Sequence, residues 1–131
     1  MNNPIAEKDS IQLSLPMNAA YVSAARLTAS SVANRMGFST DEIEDIKAAV
    51  SEACTFIINK AAPDSAGNFL LQFLMSSGTL SVSIRTDGIL SQEAEEMSLI
   101  MIKALMDRFD FKTDNNETVL YMAKGHNESL F

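Results

Sequence analysis

The sequence predicts an α+β protein: a two-layer α/β sandwich whose mostly antiparallel, mixed sheet is covered on one face by three helices. Three observations carry that expectation. Hydrophobic periodicities run in the order strand, two helices, two strands, helix, two strands. Two pairs of strands are joined by sequences short enough for hairpins, which makes the sheet antiparallel in the main. Three amphipathic helices suffice to cover only one face of such a sheet. At 131 residues, without internal repeats or a low-complexity linker, the chain reads as one domain, 1–131. Residues 1–9 and 125–131 read as loosely ordered tails.

Each element has a local reason. Ile11, Leu13 and Leu15 alternate with Gln12 and Ser14, the period of a half-buried strand, and Pro16 ends it. Asn18 offers an N-cap to an Ala-rich helix over 19–35, with apolar positions at Tyr21, Ala25, Leu27 and Val32, and Gly37 stops it. Ser39-Thr40-Asp41-Glu42 has the spacing of a capping box and opens an acidic first turn, as the helix dipole favours. The helix over 41–61 is the clearest element. Ile43, Ile46, Val50, Ala53, Ile57 and Ala61 recur at intervals of three and four and make one buried stripe, closed by Pro63-Asp64. Residues 69–75 and 79–85 read as strands joined at Ser76-Ser77-Gly78, and Asp87-Gly88 as a turn. A third helix over 93–107 carries Leu99, Ile102, Leu105 and Met106. Residues 109–113 and 118–124 form a last hairpin around Asp114-Asn115-Asn116.

Composition excludes several classes of function. Ten Lys+Arg stand against 17 Asp+Glu, a net charge of -7 that repels a phosphate backbone and argues against nucleic-acid binding. No apolar run approaches the ~20 residues of a membrane span, and Met1-Asn2-Asn3-Pro4 has neither the basic nor the apolar stretch of a signal peptide. A cytoplasmic protein is expected. Cys54 is the only cysteine, so an intrachain disulfide and a Cys-based zinc site are both excluded. Its place beside the apolar stripe reads as a buried structural thiol. His126, the only histidine, lies near the C-terminal end and reads as a tail residue, which argues against His-dependent nucleophilic catalysis. The acidic cluster Glu93–Glu96 suits a helix N-terminus, and no metal site is assigned.

On the second helix, Asp45, Glu52, Phe56 and Asn59 point away from the stripe through Ile43, Val50 and Ile57. An aromatic ring among polar residues calls for cover from a neighbouring loop or helix, a partner, or a pocket.

Here a family resemblance enters. Met36-Gly37-Phe38-Ser39, Asp41-Glu42-Ile43-Glu44-Asp45-Ile46-Lys47 and Ala49-Val50-Ser51-Glu52-Ala53-Cys54-Thr55 resemble the anti-sigma-factor serine kinases of bacterial partner switching. Those kinases belong to the GHKL, or histidine-kinase-like, ATPases. Tyr21-Val22, Arg26-Leu27-Thr28 and Ile102-Lys103-Ala104-Leu105-Met106-Asp107 fit the same pattern in order. The resemblance implies an ATP-dependent protein-serine kinase that holds a sigma factor inactive. It also implies that Glu52 stands at the general-base position and that Arg26 contacts the sigma factor and its antagonist.

The resemblance breaks where the chemistry belongs. The Mg²⁺-holding Asn four residues after the Glu is replaced by Phe56, which has no oxygen for a hard cation. Asn59 lies one turn on as a displaced substitute. The Asp that meets the adenine amino group is replaced by Thr86, ahead of Asp87 and Gly88. The glycines that wrap the triphosphate fall on Glu96 and Ser98, with almost no lid between Gly88 and Glu96. The expectation is therefore a partner-binding, homodimeric regulator with Phe56 plugging the pocket. Glu52 is then vestigial, and Thr86, Asp87, Gly88 and Asn59 are remnants of an ATP site, with no cofactor. Two alternatives stay open: an active kinase using ATP and Mg²⁺ through Asn59 and Asp87, and a small-ligand sensor with an apolar cavity beside Phe56.

Overall fold

The computed structural model describes residues 9–61, 67–88, 90 and 96–126. Strand β1 (Asp9–Pro16) leads through a 3₁₀ turn (Ala19–Tyr21) into α1 (Val22–Met36) and α2 (Thr40–Lys60). Then come β2 (Asn68–Ser76), β3 (Thr79–Asp87), α3 (Met97–Leu105), β4 (Arg108–Asp114) and β5 (Glu117–Gly125). The five strands form one sheet in the order β1-β2-β3-β5-β4. The helices pack on one face of it, the α+β sandwich that the periodicities predict.

Every neighbouring pair among the described strands is antiparallel, which corrects the mixed sheet to a wholly antiparallel one. The reason lies in the connection β3-α3-β4. A helical crossover sets β4 parallel to β3, but β5 folds back between them and pairs antiparallel with both. Both hairpins turn on residues with positive φ: Ser77 and Gly78 in one, Asn115 and Asn116 in the other. That is the twist a two-residue hairpin loop needs.

The core lies between the layers. Phe69, Leu71 and Phe73 of β2, Leu80, Val82 and Ile84 of β3, and Leu120 and Met122 of β5 are buried under Ile46, Val50 and Ile57 of α2. Helix α1 buries Ala25, Ala29, Val32 and Ala33. Of the apolar positions named for this region, Tyr21, in the 3₁₀ turn before α1, is 45% exposed and Leu27 70% exposed. Leu27 follows Ala25 by two residues, about 200° around the helix, so only one of them can face the core.

The α1–α2 junction is fixed by polar contacts. Gly37 takes the left-handed conformation (φ 92°) and its N–H reaches the Ala33 and Asn34 carbonyls. Ser39 N–H donates to Glu42 Oε1 at 2.7 Å and Glu42 N–H to Ser39 Oγ at 3.1 Å, closing the predicted capping box. The presumed tails join this framework. Asp9 pairs with Met75 and Gly125 with Thr79. His126 donates its N–H to the Gly78 carbonyl, and its ring lies 5.2 Å from Phe38 and its Nδ1 3.9 Å from Glu42 Oε1. It is thus a packing residue of the junction, because the chain leaves β5 directly over the start of α2.

Two outcomes follow from these contacts. Ser39→Ala is expected to lose about 1 kcal/mol of stability, seen in a circular-dichroism melt as a fall of roughly 2–6 °C; an unchanged melting temperature would contradict the cap's role. Burial also pushes the Cys54 thiol up from 9.0 to about 12. The folded state therefore keeps a proton that the unfolded chain releases, so stability holds below pH 9.0 and falls as the pH rises towards about 12. Unfolding free energies from urea titrations across that window are expected to drop more steeply for the wild-type chain than for Cys54→Ala, by up to about 1.4 kcal/mol per pH unit; parallel slopes would contradict it.

Candidate functional site

Helix α2 is the axis of the site because both other helices pack against it. Beside its main stripe, Ala49, Ala53, Phe56 and Lys60 recur at i, i+4, i+7 and i+11 and form a second ridge. Phe56 is buried, with 2% of its surface exposed. Its ring meets Phe111 of β4 edge-to-face, centroids 5.7 Å apart and planes at 81°. Lys60 Nζ lies 5.8 Å from the centre of the same ring and 3.3 Å from Glu96 Oε1, at the start of α3. Phe56 thus corrects the outward placement expected from helix angles alone. A central helix flanked on two sides buries a wider arc than one stripe. Asn59 stays exposed, while Glu52 is half-buried; neither side chain makes a hydrogen bond or ion pair among the described residues.

At the far end of β3, alternation separates the neighbouring candidates. Thr86 follows Val82 and Ile84 on the face towards the helices and is buried, whereas Asp87 falls on the opposite face and is exposed. Asp87 and Thr86 therefore cannot replace one another by a small shift: a one-residue slip would invert the whole strand. Gly88 has φ 95°, which accounts for glycine there, and open space where a Cβ would stand.

The turn at Gly88 is tied down by a residue that sequence reasoning missed. Thr118, wholly buried and opposite Thr86 in the ladder, donates its hydroxyl to the Gly88 carbonyl at 2.7 Å. The same oxygen accepts the Leu90 N–H at 2.9 Å. The signal was present in the sequence: Thr118 is the one polar position in the inward series Thr118, Leu120, Met122. Gly88 N–H in turn donates to the Asn116 carbonyl at 2.7 Å.

Phe56 offers no oxygen to a hard cation, and Glu96 stands at the head of α3, where like charge would oppose a phosphate. Ser98 lies within α3, and of the cluster Glu93–Glu96 only Glu96 falls among the described residues. Among those residues no group of three or more His, Cys, Asp or Glu is placed to hold a metal.

Arg26 belongs to a different surface, on the α1 side of α2. With Ser23, Leu27 and Lys47 it lines a concavity of about 260 Å³. Among the described residues Arg26 has no ion-pair partner, while Lys47 bonds Glu44 at 3.2 Å. Two cations beside an exposed leucine make a local exception on an acidic protein.

Residues 15–124 match the family model described as the histidine kinase-like ATPase domain. The serine-protein kinase RsbW of Bacillus thuringiensis (strain Al Hakam) is 33% identical over 132 aligned positions, covering 86% of this chain and 82% of the relative. RsbW of Bacillus anthracis gives the same figures of 33%, 86% and 82%. The crystal structure of the RsbU and RsbW domains of Rv1364c from Mycobacterium tuberculosis superposes with a TM-score of 0.74 at 16% identity. That match covers 90% of this chain and 32% of the other, and it supports the fold. The chain belongs to the histidine kinase-like ATPase domain family and, within it, to the anti-sigma-factor serine kinases of the RsbW type.

Proposed function

We propose that this protein is a cytoplasmic, homodimeric regulator of the RsbW type that works by binding a sigma factor or an antagonist-type domain, without binding ATP and without phosphotransfer. One observation carries the reading: the position that would supply a metal-binding amide is Phe56, buried against Phe111. Glu52 then has no metal or phosphate to act with. The outward turn of Asp87 removes support from a kinase rebuilt on Asn59 and Asp87. A concavity of about 310 Å³ lined by Thr79, Arg108 and Tyr121 lies away from Phe56.

On this reading Glu52 is vestigial, the remnants Thr86, Asp87, Gly88 and Asn59 have no cofactor to hold, and the working surface is Arg26 with Leu27 and Lys47. Arg26 supplies a planar donor fork for a carboxylate, and Leu27 supplies apolar area that only a partner would cover.

Calorimetric titration with ATP and Mg²⁺ is expected to show no saturable binding in the micromolar range. A dissociation constant near 1 μM, equivalent to about -8 kcal/mol, would overturn the proposal. Phe56→Asn is expected to bind no nucleotide either, since Glu96 and Ser98 still replace the phosphate-wrapping glycines, and to lose about 3 kcal/mol of stability. Phosphotransfer recovered by that single change would count against the reading. Sigma-factor or antagonist capture is the second test: Arg26→Glu is expected to weaken it at least tenfold while the melting temperature stays unchanged. Capture that survives Arg26→Glu would remove this surface from the account.

A further inference from the structure

Lys60 and Glu96 meet where two helix ends converge. Lys60 closes the last turn of α2 and Glu96 immediately precedes the first turn of α3, and both side chains are about one-quarter exposed. Glu96 makes no capping hydrogen bond to its own helix, so its carboxylate is turned across to Lys60 Nζ at 3.3 Å. The ammonium also lies over the buried Phe56 ring, which fixes the lysine stem against α2. Each charge suits the helix end that carries it: the cation at a C-terminus and the anion at an N-terminus. The pair is thus held by a packed aromatic beneath it and by two helix dipoles.

We propose that Lys60 and Glu96 form a latch that holds the start of α3 against the end of α2, so that the chain's own carboxylate keeps this helix docked with no bound anion required. The inference rests on the reading above in one respect: by the family resemblance, Glu96 stands where a phosphate-wrapping glycine is expected. The chain then carries at the head of α3 the negative charge that a nucleotide would otherwise bring, together with its counter-ion. The docked arrangement is built in, and salt is its natural antagonist.

Hydrogen exchange of the α3 amides in the full chain, followed by mass spectrometry, tests the latch. Lys60→Met and Glu96→Gln are each expected to speed exchange about two- to fivefold, the range of a partly exposed ion pair. The double variant should be slower than the product of the two single effects, because only the paired contribution is shared. Raising the salt from about 0.05 M to about 1 M should speed α3 exchange in the wild-type chain and leave the double variant unchanged. Single variants that exchange like wild type, a fully multiplicative double variant, or salt-insensitive wild-type exchange would each overturn the latch. A separate arm with ATP and Mg²⁺ keeps the two claims distinguishable. Slowed exchange on adding nucleotide contradicts the absence of ATP binding, whereas the variant cycle judges the latch.

Discussion

The packing of Phe56 against Phe111 is the constraint on which the rest of the site depends. A fully buried phenylalanine contributes about 1.5–3 kcal/mol through area removed from water, and an edge-to-face partner adds about 0.5–1.5 kcal/mol. An amide in the same corner would instead need hydrogen-bond partners or a metal, and an unsatisfied one costs about 1–3 kcal/mol. One side chain cannot both complete an apolar corner and ligate a hard cation. By closing the corner, Phe56 ties α2 to the edge strand β4 and provides the surface on which Lys60 rests.

That arrangement divides the helical layer into two regions of different character. On the α3 side of α2 the groups are engaged with one another: Phe56 with Phe111, Lys60 with Glu96, and Thr118 with the backbone of Gly88 and Leu90. On the α1 side the surface is left open, with Arg26 unpaired among the described residues and Leu27 exposed beside Lys47. Internal satisfaction is what a structural corner requires, and unsatisfied charge next to exposed apolar area is what a docking surface offers.

Much of this was legible in the sequence because local rules dominated. The capping box at Ser39 and Glu42, the stop at Gly37 and both hairpin turns are set by side-chain chemistry within four residues, and the structure has all of them. Long-range placement was less legible. Helix angles turned Phe56 away from the main stripe and called for cover from a neighbour, but periodicity could not show that Phe111 of β4 supplies it. Leu27 read only as one of the apolar positions of its helix, and it stays exposed because α1 uses alanines for its contact face. His126 read as a tail residue because only the tertiary fold brings the end of β5 over the start of α2. At the site, Phe56 was readable as the departure from the family pattern on which the proposal rests. The opposite orientations of Thr86 and Asp87 needed the register of β3, and Thr118 was hidden until its partners across the turn were known.

The account is tested most directly by amide chemical shifts of the isotopically labelled chain, recorded with and without a non-hydrolysable ATP analogue and Mg²⁺ at millimolar concentration. It predicts that the signals of Glu52, Phe56, Thr86, Gly88 and Thr118 stay where they are. Saturable shifts clustered on those residues would show that the corner opens to admit a nucleotide, and the account would be wrong.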